Sequence, residues 1–216
     1  VGDCGACTVI VGELEHGEAA YRSVNACIAL LASLNGCHVI TLDVLQDSNL
    51  HPVQRAMVEC HSSQCGFCSP GFVMSSVVWW LNTPANQLTT PETFAQHRHG
   101  VELALSGNLC RCTGYLPILL AADQLAPMDR TMDPLFNQMG GYDHCLAHLK
   151  SIAPTSQSHA YDVRAQAYMA PSSLEELALA YEAFPQTRLV AGSTDLALGI
   201  THGLQSIERL IDVTGV

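Results

Sequence analysis

Apolar and polar residues alternate over 7–14 and again over 20–24, on either side of the polar run Glu15-His16-Gly17-Glu18. Period-two alternation around a Gly-containing turn predicts a β-hairpin. The pattern then becomes continuously apolar over 26–34. That predicts a helix capped by Asn25 and closed by Gly36 as a left-handed C-cap, after which 38–42 returns as a strand. Residues 1–46 thus read as a small mixed α/β unit. Helical spacing takes over at 51–60, 70–81, 91–105 and 115–125, which predicts a compact four-helix bundle within 47–126. Trp79 and Trp80 read as core and interface packing of its second helix. A weak echo links Cys68-Ser69-Pro70-Gly71-Phe72 to Cys112-Thr113-Gly114-Tyr115, each ahead of a helix. Residues 127–166 are rich in Pro, Ser, Thr and Gln with little periodicity and read as a linker. Capping-box spacing from Ser172 to Glu175 and from Ser173 to Glu176 starts a helix that runs to Phe184. Strands at 188–191 and 209–213 follow, so 167–216 reads as the start of an α/β domain that the chain leaves unfinished. The fold class expected is α+β multidomain.

Charge narrows the partners. Nine basic against 20 acidic residues give a net charge of −11, and Lys150 is the only lysine, so no basic face exists to neutralise a phosphate backbone. Nucleic acid is not an expected partner. The apolar run over 72–81 is broken by Ser75 and Ser76 and is shorter than the ~20 residues that span a bilayer, so no membrane span is expected. The chain begins at Val1 inside a motif, without a signal-peptide pattern, and reads as a fragment of a cytoplasmic protein.

Ten cysteines change the picture most, because they cluster in CxxC and CxC spacings. Without an export signal such spacing points to thiolates gathered around a metal or cluster. Cys65-Gly66-Phe67-Cys68 and Cys110-Arg111-Cys112 each offer a pair of sulfurs, and Gly66 frees the backbone to aim its pair at one centre. With Ser69 as N-cap and Pro70 at N1 of one helix, and Thr113 as N-cap of another, each pair would sit before a helix N-terminus. Free N–H groups and the positive dipole end there favour a bound anion, which suits a four-thiolate 2Fe–2S centre. A Cys4 zinc site remains open on this spacing, although CxC at helix starts is less usual for zinc ribbons.

A second set is Cys4-Gly5-Ala6-Cys7 with Cys27. Plant-type ferredoxins use CxxxxCxxC with a distant fourth cysteine; here the missing member would fall two residues before Val1. Cys37, Cys60 and Cys145 are assigned to packing. His97-Arg98-His99 reads as a solvated helix face with no carboxylate cluster beside it. The loop Ala191-Gly192-Ser193-Thr194-Asp195 after an apolar strand could cradle a pyrophosphate with backbone N–H groups and hydroxyls, although it is not the dinucleotide fingerprint.

Longer motifs carry a resemblance. Gly2-Asp3-Cys4-Gly5-Ala6-Cys7-Thr8-Val9, Asn25-Ala26-Cys27, the run 60–72 (Cys60-His61-Ser62-Ser63-Gln64-Cys65-Gly66-Phe67-Cys68 onward) and Gly107-Asn108-Leu109-Cys110-Arg111-Cys112-Thr113-Gly114-Tyr115 resemble the molybdenum hydroxylase family. The order of two iron–sulfur modules followed by a flavin segment is similar to the small subunit of its bacterial members. The resemblance implies a β-grasp ferredoxin-like module, truncated at its start, then a helical 2Fe–2S domain and the opening of an FAD-binding domain. It implies that Cys4, Cys7 and Cys27 hold one 2Fe–2S cluster and Cys65, Cys68, Cys110 and Cys112 the other. Gln64 would contact molybdopterin bound on a separate large subunit. Leu189, Val190, Ala191, Gly192, Ser193, Thr194 and Asp195 would hold FAD phosphates. The implied role is electron transfer from molybdopterin through both clusters to FAD and NAD during purine hydroxylation, within a heterotetramer of two small and two large subunits. Related aldehyde or N-heterocycle dehydrogenases and a zinc-stabilised interaction module are the alternatives. Family members commonly carry Gly at Ser62, Thr at Ser69, Arg at Leu116 and Gly at Ala197. The expectation is that Ser69 keeps its capping oxygen, Leu116 removes a charge beside the cluster and Ala197 crowds the flavin loop.

Overall fold

The computed structural model describes residues 2, 4–46, 49–83, 91–125, 134–154, 158–163 and 166–216. The chain divides into two units: a larger one of Gly2–Ala26 and Cys37–Ile152, and a smaller one that includes Cys27–Gly36 and Ala153–Val216.

In the larger unit, strands β1 (Thr8–Glu15) and β2 (Glu18–Asn25) form the expected hairpin, paired from Thr8 with Asn25 to Glu15 with Glu18. Strand β3 (His38–Ile40) pairs antiparallel on the other edge of β1, giving the order β2-β1-β3. Ile10 and Val11 of this central strand are both fully buried. Successive side chains point to opposite faces; Ile10 joins the helical core.

Four helices build that core: α1 (Pro52–Glu59), α2 (Ser69–Asn82), α3 (Pro91–Leu105) and α4 (Leu116–Leu125). Every residue of α2 from Gly71 to Trp80 is buried; a helix apolar on all sides belongs in the middle of its domain. It packs on β1, β2, α1, α3 and α4, with Phe72, Met74, Val77 and Trp80 among the least exposed residues of the chain. Helix α1 opens with a cap that the sequence pattern did not flag. His51 Nδ1 accepts the Val53 N–H at 3.2 Å, and Gln54 Oε1 accepts the His51 N–H at 3.0 Å. It closes in a left-handed turn at His61 (φ 52), with the Ser62 N–H on Met57 O and the His61 N–H on Val58 O, the paired bonds of a Schellman ending.

The segment read as a linker is structured over much of its length. Helices α5 (Pro134–Gln138) and α6 (Tyr142–Ile152) belong to the larger unit. Leu135 is fully buried, and the Phe136 ring meets Tyr21 at 5.4 Å and Tyr142 at 5.5 Å, both edge-on. Helix α6 packs on β1 and β2, with Cys145 and Leu149 buried. Spacing in two short helices is too brief to register as periodicity, so only packing reveals them. Residues 126–133 lie outside the described residues.

In the smaller unit, strands β4 (His159–Val163) and β5 (Gln166–Ala170) pair antiparallel, while β6 (Arg188–Val190) and β7 (Arg209–Asp212) join in parallel, in the order β4-β5-β7-β6. Helix α7 (Leu174–Ala183) starts at Ser173, whose hydroxyl accepts the Glu176 N–H at 3.2 Å. The Glu176 carboxylate reaches back one residue further than a capping box requires, accepting the Ser172 N–H at 2.9 Å and the Ser158 hydroxyl. The helix expected over 26–34 is instead two 3-10 turns, Ala26–Ile28 and Leu31–Leu34. Asn25 cannot cap a helix there, because it ends β2 and its amide donates to Gly2 O at 2.7 Å while accepting from Thr8 Oγ1 at 3.2 Å. Leu30 and Ala32 pack on the Tyr168, Val190 and Leu210 core. Among the described residues no helix is long and apolar enough to cross a membrane. This is an α+β multidomain fold.

Candidate iron–sulfur site

The Schellman turn after α1 sends the chain across to Cys65, and Ser62, buried, holds that crossing by donating to Pro117 O at 2.8 Å at the start of α4. Gly66 stands at φ 83, with nothing near a notional Cβ. It is the left-handed backbone, and not crowding, that calls for glycine there. The turn closes through Ser69 N–H on Gly66 O at 3.3 Å and delivers Cys68, buried, to the N-cap position of α2. Cys110 is also buried, while Cys65 and Cys112 are exposed.

The four thiols converge from both motifs. Cys65 shares a hydrogen bond with Cys112, and Cys68 with Cys110; charge interactions further link Cys65 to Cys68 and Cys110, and Cys110 to Cys112. Burial, then the Cys110 contact, pushes the Cys68 thiol up to about 11. At Cys110 burial also pushes upward, but hydrogen bonds from the Thr113 hydroxyl, the Thr113 N–H and the Cys112 backbone outweigh it and bring the thiol down to about 7. Thr113 Oγ1 lies 3.1 Å and Thr113 N 3.4 Å from Cys110 Sγ. A thiol so surrounded is shaped to be a thiolate. Among the described residues no group of three or more His, Cys, Asp or Glu that could hold a metal ion is found; the sulfurs meet as two pairs. A sulfide-bridged diiron centre takes two thiolates on each iron, so this donor set fits a 2Fe–2S cluster.

Two details of the expected capping change. Ser69 is the first residue of α2 and makes no cap; its hydroxyl meets that of Ser63 at 2.6 Å. Thr113 does not cap α4 either. The chain passes through Gly114 and Tyr115, both at positive φ (70 and 69), before the helix begins, and Thr113 instead serves Cys110 and accepts the Tyr115 N–H at 3.2 Å. Tyr115, which sequence reasoning did not single out, accepts the Cys110 N–H on its phenol oxygen at 3.1 Å. Gln64 is exposed beside Cys65, as is Arg111 between Cys110 and Cys112, and three large apolar residues near in sequence are exposed too, Phe67 69%, Leu109 51% and Leu116 59%.

The Cys4–Cys7 loop lies against this site. Cys4 O accepts the Leu109 N–H at 3.1 Å, and Cys7 O accepts the N–H of Ala26 at 3.3 Å. Cys4 and Cys7 are half-buried; Cys27, exposed, belongs to the smaller unit.

In the smaller unit the expected phosphate loop is only partly free. Val190 is buried in the core, and Ser193, buried at φ 63, donates its hydroxyl to Ile28 O at 3.1 Å. Leu189, Ala191, Gly192, Thr194 and Asp195 are exposed, and Ala197 is the buried residue of the short helix α8 (Leu196–Thr201). The His97-Arg98-His99 reading needs correction: His97 is buried edge-on to Trp79 at 4.9 Å, and both His97 and Arg98 face Asp123. Only His99 is on the solvated face. Cys145 is fully buried and Cys60 packs on the core, as expected of structural thiols.

Residues 41–123 match the [2Fe-2S] binding domain family. Over all of this chain the sequence is 28% identical to xanthine dehydrogenase of Drosophila pseudoobscura pseudoobscura, covering 18% of that protein. Over 56% of the chain it is 44% identical to xanthine dehydrogenase of Blastobotrys adeninivorans, covering 8% of it. A chain in the crystal structure of quinoline 2-oxidoreductase from Pseudomonas putida 86 aligns with a TM-score of 0.42 at 26% identity, over 65% of this chain and 72% of that one. The paired thiols therefore stand within a [2Fe-2S] binding domain. Beyond that domain the chain is similar to the xanthine dehydrogenases named here, and it spans less than a fifth of the length of these curated relatives.

Proposed function

We propose that this chain conducts electrons, one at a time, from a molybdopterin centre on a separate large subunit to FAD and then NAD, in a xanthine dehydrogenase-like enzyme that hydroxylates a purine. The observation that carries it is the convergence of Cys65, Cys68, Cys110 and Cys112 as two hydrogen-bonded thiol pairs. When bound, a 2Fe–2S cluster supplies a one-electron acceptor. The chain's own residues do the rest. Thr113 directs its N–H and hydroxyl at Cys110 Sγ, bonds that raise a cluster's potential by stabilising added negative charge. The Cys68 position at the N-cap of α2 turns the positive end of a helix toward the same charge. The exposed side, where Cys65, Cys112 and Gln64 lie with Phe67, Leu109 and Arg111, is the face on which the molybdopterin-bearing partner would seat. Cys4, Cys7 and Cys27 hold the second cluster in this reading, and the residues from Leu189 to Asp195 the FAD phosphates, with Thr194 the hydroxyl left at the surface. A cytoplasmic assembly of two small and two large subunits completes the proposal.

Metal and acid-labile sulfide analysis of the anaerobically purified protein tests it. Iron with equal sulfide and a visible spectrum that bleaches on reduction is the expected result; stoichiometric zinc without sulfide would replace the conductor by a zinc-stabilised module.

A further inference from the structure

Between the two thiol sites lies a buried polar side chain that neither site needs as a ligand. Asn108, 2% exposed, follows α3, with its N–H on Leu105 O at 3.0 Å, and precedes Cys110 by two residues. Its Oδ1 accepts the Ser75 hydroxyl of α2 at 2.7 Å, and its Nδ2 is shared between Gly5 O in the Cys4–Cys7 loop and Thr8 Oγ1 at the start of β1, both at 3.3 Å. The surroundings leave no slack. A Cβ on Gly5 would lie 2.1 Å from Asn108 Nδ2, and one on Gly71 would lie 1.9 Å from Gly5 O. The next residue, Leu109, donates its N–H to Cys4 O at 3.1 Å.

Three segments therefore meet at one amide: the Cys4–Cys7 loop, the helix that starts after Cys68 and the strand of chain that carries Cys110. A buried amide satisfied on both its donor and acceptor sides adds little net stability over a well-packed apolar residue, because its desolvation offsets its hydrogen bonds. What it does impose is a unique geometry, since a shift of either loop leaves buried polar atoms unpaired. We propose that Asn108 is a positioning residue that sets the separation and orientation of the two cysteine sites, and so the electronic contact between them. This rests on the reading that both sites hold 2Fe–2S clusters.

The test uses the cluster-loaded protein that carries this chain, fully reduced, when each cluster is paramagnetic and two close clusters split one another's electron paramagnetic resonance lines. Asn108→Leu keeps the side chain's approximate shape and removes the amide's hydrogen bonds. The expected result is unchanged iron and sulfide content with loss of the resolved splitting. Unchanged content with unchanged splitting overturns the proposal while leaving the conductor reading intact. A parent protein whose iron and sulfide account for one cluster only defeats the reading of the Cys4–Cys7 site, and this proposal with it. Where Asn108→Leu loses a cluster through misfolding, Ser75→Ala decides. It deletes one hydrogen bond to Asn108, and a broadened, weakened splitting supports the assignment, whereas the parent's line shape overturns it.

Discussion

The thiol pole of the larger unit and the loop after β6 in the smaller unit were both expected to hold a cofactor, and the fold treats them differently. At the pole Cys65 meets Cys112 and Cys68 meets Cys110. In the loop the expected residues part company: Val190 enters the core, Ser193 turns its hydroxyl to Ile28 O, and Thr194 and Asp195 stay outside. A thiol pair has little purpose but ligation, so its neighbours are free to serve it. Hydroxyls and small residues after a strand also seal the strand's end, and that use claims some of them first.

The sharpest way to break this contrast is to remove a ligand. Cys110→Ala should eliminate the helical cluster and its share of iron, sulfide and visible absorbance; an unaltered spectrum would refute the assignment. The next largest effect concerns the scaffold behind the pole. Trp80→Ala empties a site only 1% exposed in α2 and should cost ~3–5 kcal/mol in urea unfolding. In the loop, Ser193→Ala should lower the smaller unit's stability by ~1–3 kcal/mol, the cost of leaving a buried carbonyl unpaired. A loss of flavin binding at unchanged stability would show instead that the hydroxyl serves ligand. The smallest effect belongs to Glu176, whose carboxyl is held below its ordinary 4.5 by the Ser158 hydroxyl and then the Ser172 N–H. A depressed acid adds stability above its unfolded pKa and loses it as pH falls through the folded one. Melting temperatures of Glu176→Gln and the parent should therefore differ near neutrality and converge as pH falls through the carboxyl's depressed folded pKa.

Much of the architecture could be read in advance where periodicity was long. The hairpin, the helix over 91–105 and the two last strands fall within a residue or two of their expected places. What could not be read was local chemistry overruled by long-range partners. Asn25 looked like a cap, but Thr8 and Gly2 claim its side chain. Thr113 looked like another, but Cys110 claims it. The His97 pair with Asp123 joins residues 26 positions apart in the chain, so no local pattern announces it.

By itself the sequence determined the chemistry: which residues are thiols, how closely they are spaced and which stretches are apolar enough to be buried, since these follow from residue type and short-range geometry. Only the tertiary structure decided that Cys65 meets Cys112 while Cys68 meets Cys110, that a segment resembling a linker folds over the hairpin, and that Asn108 ties the two cysteine loops together. Those outcomes depend on contacts between segments far apart along the chain, whose free energies are set by packing and by the hydrogen bonds left over once the core has closed.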